Sequence, residues 1–175
     1  PVSTIAYIAE LSVAFRDTKA EGSSILELKG RGTDPASLLI SEADPYDYGL
    51  QPLNSSGEKV FSISNIPNGA AAKNIQEVGL DFPFAIKGDE WPGDGGTCSD
   101  ELQPAGSCTI VVTFTPANVG VQADQIEIQY DNGITNVSSL RDVQGEGVIP
   151  AQLEITNAPL YDFGTLINSQ TAAVI

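Results

Sequence analysis

Residues 98–116 place the tightest limit on what this chain can fold into. Two cysteines lead directly into a stretch in which apolar and mostly hydroxyl-bearing side chains alternate. Cys108, Ile110, Val112 and Phe114 fall on one side of this pattern, and a period of two predicts a half-buried β-strand. Pro116 ends the strand because it has no N–H to donate to a ladder. The stretch therefore predicts an all-β protein.

The two cysteines, Cys98 and Cys108, are the only ones in the chain, which has no histidine. With two thiols and no imidazole, a structural zinc site lacks its ligands. We expect a Cys98–Cys108 disulfide, which fits an oxidising compartment; the alternative is two free buried thiols. The bridge would fix the flexible loop before the strand onto the core.

Charge and composition exclude several function classes. The chain carries 8 Lys and Arg against 23 Asp and Glu, a formal charge of −15. Such a surface repels phosphate backbones and anionic lipid, so we expect no nucleic-acid partner. No apolar run approaches the length that spans a bilayer, so we expect no membrane insertion. Without histidine, Ser-His-Asp and Cys-His nucleophile systems cannot be built.

An acidic, glycine-rich loop surrounds the one tryptophan, Trp91. Its carboxylates could in principle pair for glycoside hydrolysis, but a glycine-rich loop is a poor scaffold for catalysis, so we predict no catalytic residue and no enzyme. Asp89, Glu90 and Asp94 are candidate calcium ligands without EF-hand spacing; no other cofactor is expected. Trp91 is either a contact for a sugar or neighbouring subunit, or a side chain folded onto the end of the domain.

The chain resembles itself when shifted by 115 positions, the distance from Pro35 to Pro150. The matching positions share residue type and order. They pair Leu11, Val13 and Phe15 with Ile126, Ile128 and Tyr130; Gly30 and Gly32 with Gly145 and Gly147; and Tyr46, Asp47, Tyr48 and Gly49 with Tyr161, Asp162, Phe163 and Gly164. We therefore predict a repeat unit of about 115 residues.

This repeat divides the chain into three parts. Residues 1–33 are predicted to be the last two strands of a preceding unit, residues 34–149 a complete unit, and residues 150–175 the first strands of the next. We expect a window on a longer tandem array; the alternative is a chain that exchanges strands with its neighbours. The linkers, residues 30–35 and 145–150, are short and end in proline, so adjacent units should contact each other.

Eight short strands are predicted in the complete unit, at residues 37–41, 46–50, 58–65, 74–80, 84–87, 107–115, 124–130 and 138–144. The turns between them carry Asn, Asp, Gly and Pro. Residues 65–73 are expected to form a turn of helix at most. Because each strand has one apolar face, two sheets must pack face to face, which predicts an immunoglobulin-like β-sandwich.

Several motifs in the complete unit resemble a known family. They are Tyr46-Asp47-Tyr48-Gly49, Phe61-Ser62-Ile63-Ser64-Asn65, Gly106-Ser107-Cys108-Thr109-Ile110, Phe114-Thr115-Pro116 and Gly145-Glu146-Gly147. In this order they are similar to the Hydin-type immunoglobulin-like domain, and more closely to its bacterial surface version, the choice-of-anchor D repeat. The resemblance implies tandem extracellular modules on large secreted or surface-anchored proteins.

We therefore expect a non-enzymatic structural repeat of a long extracellular bacterial surface protein. It would form a stalk or filament, with neighbouring copies or repeats of the same protein as partners and with strand exchange between copies as one route to assembly. The alternative is a carbohydrate- or protein-binding accessory module of a secreted protein.

Overall fold

The computed structural model describes residues 6–16, 18–155, 165 and 167. Eleven β-strands and one short 3₁₀ turn, Lys87–Asp89, are present in these residues. The strands are β1 Ala6–Arg16, β2 Glu21–Arg31, β3 Leu38–Ile40, β4 Tyr46–Pro52, β5 Gly57–Asn65, β6 Ala72–Glu77, β7 Phe84–Ile86, β8 Glu101–Leu102, β9 Ser107–Phe114, β10 Gly120–Asp131 and β11 Asn136–Val148. The described part of the chain holds no helix long and apolar enough to cross a membrane.

Strands β3 to β11 form two sheets. One has the strand order β4-β11-β10-β6-β8 and the other β3-β5-β9-β7. All pairs are antiparallel except β4, which lies parallel to β11. The all-β prediction is confirmed, and the arrangement is an immunoglobulin-like β-sandwich.

The core lies between the facing sheets. The alternation predicted for β9 is confirmed, since Ile110, Val112 and Phe114 are fully buried. They meet Ile126 and Ile128 of the opposite sheet in one continuous hydrophobic cluster. Phe84 and Phe114 stack with ring centroids 4.7 Å apart at the centre of an aromatic group. Such offset ring pairs add to the burial energy of the apolar surface.

Strands β1 and β2 form a separate antiparallel two-stranded sheet. Leu11 faces Leu26 across this hairpin. Shifted by 115 positions, the same pair is Ile126 and Arg141, which face each other across β10 and β11. Both hairpins close with loops of the same length, between Arg16 and Glu21 and between Asp131 and Asn136. The repeat and its boundaries at residues 34 and 149 stay a prediction.

The observed elements differ from the predicted ones at several ends. Strand β6 begins at Ala72, which is fully buried in the core, two positions before the predicted start. Residues 65–73 hold the end of β5, turns and the start of β6, which agrees with the prediction of a turn of helix at most. Strand β6 ends at Glu77 as the chain turns through Gly79, whose φ is +91°. Strand β8, only two residues long, was not predicted.

The glycine pair that the sequence assigned to a linker lies within a strand. Gly145 and Gly147 belong to β11, which runs to Val148, and Gly30 lies in β2. The linkers are therefore shorter than predicted. Residues 150–155 are exposed and form no strand, and the predicted counterparts of the Tyr46 motif at 161–164 lie outside the described residues.

Candidate functional site

The predicted disulfide is present between Cys98 and Cys108, ten positions apart. Both cysteines are buried. The bridge is reinforced by hydrogen bonds from the N–H groups of Thr97 and Cys98 to the carbonyl of Thr109, at 2.9 and 3.1 Å. In return, Thr109 donates its N–H to the Thr97 hydroxyl at 3.0 Å. The loop before the bridge is thus fixed along the edge of β9.

The same loop covers the outward side of β9 at one position. Val111 points away from the sandwich core, yet it is only 3% exposed. Its N–H donates to the carbonyl of Pro92 at 3.1 Å, and the backbone of Gly93 lies so close that a Cβ there would be 3.3 Å from the Val111 Cβ. Residues 92–98 therefore continue the edge contact where β7 ends.

Trp91 is half-buried and packs against the hydrophobic core. Its indole Nε1 is buried and has no hydrogen-bond partner among the residues that the structure describes. Much of the ring therefore contributes to packing. Its role as a contact for a sugar or a neighbouring subunit stays a prediction.

The calcium candidates Asp89, Glu90 and Asp94 are all exposed. Asp94 folds back over the turn, where its N–H donates to the carbonyl of Lys87 at 2.9 Å. Among the described residues, no group of three or more acidic, cysteine or histidine side chains is placed to hold a metal ion. Calcium binding by these three residues stays a prediction.

The Tyr46-Asp47-Tyr48-Gly49 motif uses its polar and aromatic members differently. Asp47 accepts a hydrogen bond from the Gly49 N–H at 2.7 Å and another from Gln144 at 3.0 Å, and these two bonds lower the pKa of its carboxyl. Tyr48 donates to the carbonyl of Val112 at 3.0 Å. Burial, and then the neighbouring Tyr46, raise the pKa of Tyr48 far above its ordinary value. The motif is therefore a turn whose two tyrosine rings pack against the core.

The segment between β2 and β3 is bound to the sandwich. Thr33 donates its hydroxyl to the carbonyl of Asn68 at 2.7 Å. The carbonyl of Asp34 accepts the N–H of Ala70 at 2.7 Å. Ala36 then donates its N–H to the carbonyl of Asn132 at 2.9 Å. Three bonds in four residues limit how far the hairpin can move relative to the sandwich.

The β1–β2 hairpin has one strongly apolar face, which sequence reasoning did not single out as a site. We define the hairpin face as Tyr7, Leu11, Val13, Phe15, Leu26 and Leu28, which are between 46% and 61% exposed. The opposite side of the hairpin carries charged residues, including an ion pair between Arg16 and Glu21. A contiguous apolar face of this kind marks an interaction surface. The signal for it was the alternation in residues 11–15.

No family model matches this chain, and no curated protein does. Similar solved structures include the ASH or PapD-like domain 7 of human CEP192, with 14% identity, a TM-score of 0.46, and coverage of 68% of this chain and 89% of that one. The VesB protease of Vibrio cholerae shares 15% identity at a TM-score of 0.49, covering 62% of this chain and 31% of that one. A protein of unknown function from Porphyromonas gingivalis shares 10% identity at a TM-score of 0.48, covering 82% and 66%. At these values the likenesses establish no enzyme activity.

Proposed function

We propose that this chain is a non-enzymatic structural repeat of a long extracellular bacterial surface protein, of the choice-of-anchor D kind that its motifs resemble. Its units would stack into a stiff stalk or filament. The observation that carries this proposal is the pair of hairpins, β1–β2 and β10–β11, which have the same register and loop length 115 positions apart.

The bonded linker supports stiffness. Thr33 and Ala36 donate hydrogen bonds to the carbonyls of Asn68 and Asn132, and the Asp34 carbonyl accepts one from the Ala70 N–H. These bonds hold the segment that follows the hairpin against the next unit. A flexible tether would leave these groups to water. Units joined this way transmit orientation from one to the next, so the length of the assembly grows with the number of units.

The extracellular setting is supported by the disulfide and the surface charge. A buried Cys98–Cys108 bridge fits a compartment in which thiols are oxidised. A charge of −15 keeps such an array soluble and repels non-specific association. The accessory binding module ranks second, because its main candidate contact, Trp91, is partly used in packing.

A length series tests the proposal. One, two or three further copies of residues 35–149 are inserted after Ile149, and small-angle X-ray scattering gives the maximum dimension of each protein. A strand of the length of β10, 12 residues, spans about 40 Å at ~3.4 Å per residue. We expect equal increments of about that size per copy. Growth with the square root of the copy number would contradict a stiff array.

The compartment is tested separately by quenching the producing cells in acid and alkylating their thiols in denaturant, so that buried free thiols also react. We expect both cysteines to escape alkylation because they are bridged. Complete alkylation of Cys98 and Cys108 would contradict the extracellular assignment.

A further inference from the structure

We propose that the hairpin face of β1–β2 is the docking surface for a four-stranded sheet built like β3-β5-β9-β7, with a phenylalanine ring seated on Gly30. The inference rests on the proposed function, because it names the partner surface that completes a unit around residues 6–31.

Equivalent positions in the two hairpins differ in their exposure. Leu11, Val13 and Phe15 are about half exposed, whereas the side chains 115 positions later, Ile126, Ile128 and Tyr130, are at most 5% exposed. The later set belongs to one hydrophobic cluster with buried residues of the opposite sheet, including Phe61 of β5 and Phe114 of β9. Because the two hairpins share this apolar pattern and register, we expect the β1–β2 face to be covered by a sheet of the same kind.

Two residues of β2 also have counterparts in β11 that contact the opposite sheet. Leu28 corresponds to Val143, which is fully buried in the core, while Leu28 is 46% exposed. Ser24 corresponds to Ser139, whose hydroxyl donates to the carbonyl of Leu38 at 2.8 Å on the edge of the other sheet. The hairpin therefore carries both an apolar residue for the core and a hydroxyl for the edge strand of a facing sheet.

Two equivalent glycines, Gly145 and Gly30, differ in what lies close to them. A Cβ added at Gly145 would lie 2.8 Å from Cδ1 and 2.9 Å from Cζ of Phe114, so only glycine leaves room for that ring. Its counterpart, Gly30, has no atom of the described residues within 4 Å of the added Cβ. Glycine inside a strand is unfavourable unless something approaches the backbone closely. Gly30 therefore leaves room for an aromatic ring, as Gly145 does for the ring of Phe114.

The exposed hairpin face also carries an energetic cost. A two-stranded hairpin by itself is marginally stable in water, and this one exposes six large apolar side chains on one side. Covering that face with a sheet removes the apolar area from water and supplies the second layer of a two-layer sandwich.

The occupant is a sheet and not a second copy of the whole chain. In each complete unit, β3-β5-β9-β7 is already covered by its own β10 and β11, which place Ile126 and Val143 in the core. The described residues of a second copy therefore offer no uncovered sheet of the required kind. The partner must supply strands that are equivalent to residues 38–114 and lack their own final hairpin.

The test supplies that sheet in cis. An extended chain is made by joining a second copy of residues 34–115 in front of Pro1, which corresponds to Pro116 under the 115-residue shift. Amide hydrogen exchange of β1 and β2 is then measured in the original and the extended chains. We expect exchange at these amides to slow by at least about 100-fold in the extended chain.

A matched pair of substitutions makes the result specific to Gly30. Gly30→Val should leave the melting temperature of the original chain unchanged but lower that of the completed unit in the extended chain by about 5 °C or more, because the valine overpacks against the phenylalanine. Gly145→Val serves as the control and should destabilise residues 34–149 in both proteins.

Three outcomes would overturn the inference. One is unchanged exchange of the hairpin amides in the extended chain, and another is a silent Gly30→Val there. The third is hairpin protection in the original chain that rises with protein concentration, which would identify a second copy as the cover. If the scattering series still gives equal increments, the docking inference fails while the proposed stalk stands.

Discussion

Removing the Cys98–Cys108 bridge should measure how much the loop before β9 depends on it. In the double variant C98A/C108A, the unfolded chain regains the freedom of a loop closed across ten positions. Loop entropy for that length corresponds to about 2.7 kcal/mol at 25 °C. For a unit of this size, we expect the melting temperature to fall by about 10 °C.

The effect should also be local before it is global. The N–H groups of Thr97 and Cys98 donate to the Thr109 carbonyl of β9, and the N–H of Val111 in β9 donates to the Pro92 carbonyl. These three amides should exchange faster in C98A/C108A than in the parent. Amides of the β10–β11 pair should change only with global stability. Circular dichroism melts give the first quantity and hydrogen exchange the second.

Two controls sharpen the comparison. The parent protein in excess reductant should match C98A/C108A if the bridge itself is responsible. Thr97→Val keeps the bridge but removes the hydroxyl that accepts the Thr109 N–H at 3.0 Å, and it should cost about 1 kcal/mol. A melting temperature within 2 °C of the parent for C98A/C108A, with unchanged exchange at residues 97–98, would refute the claim that the bridge fixes this loop.

Three further substitutions test the core, the aromatic motif and an acidic site. Gly145→Val should destabilise the protein by about 2 kcal/mol in urea unfolding, because the added side chain meets the Phe114 ring; a neutral result would contradict the close packing. Tyr48→Phe loses the bond to the Val112 carbonyl and should cost about 1 kcal/mol, with the near-ultraviolet signal of the remaining aromatic residues preserved. The pKa of Glu77 is raised, mainly by burial and then by the nearby carboxylates of Asp124, Glu127 and Asp81, although the Leu80 N–H donates a hydrogen bond to it. Its ionisation therefore opposes folding as the pH rises above its ordinary pKa of 4.5. Glu77→Gln should therefore stabilise the protein by about 0.5 kcal/mol at pH 7 and have no effect at pH 3.5; an equal effect at both pH values would show that charge is not the cause.

Period-two alternation made the central strands predictable from sequence. In β9 the side chains of Ile110, Val112 and Phe114 repeat on one face, and this pattern fixed both the strand and its buried side. The disulfide was predictable for a different reason, because the chain has only two cysteines and no competing metal ligand.

Glycines and very short strands were not predictable in the same way. Gly145 and Gly147 resemble a linker in sequence, but in the fold they lie inside β11, where Phe114 and Pro116 approach the backbone too closely for any side chain. That requirement depends on residues about 30 positions earlier. The two residues of β8, Glu101–Leu102, are too few to show a period and are paired only through their contact with β6.

The candidate site was the least predictable part. The path of residues 92–98 along β9 depends on backbone bonds to Thr109 and Val111, and no local pattern specifies these partners. The hairpin face could be recognised as apolar from sequence. The sequence could not show that this face is exposed, because the equivalent side chains of β10 are buried under a second sheet.

The crystal structure of the extended chain would test the central claim most directly. The account predicts two superimposable sandwiches, with the β1–β2 hairpin built into the first one and the added copy of Phe114 lying over Gly30. A structure in which β1 and β2 stand apart from the added strands, or pair with them in another register, would contradict it.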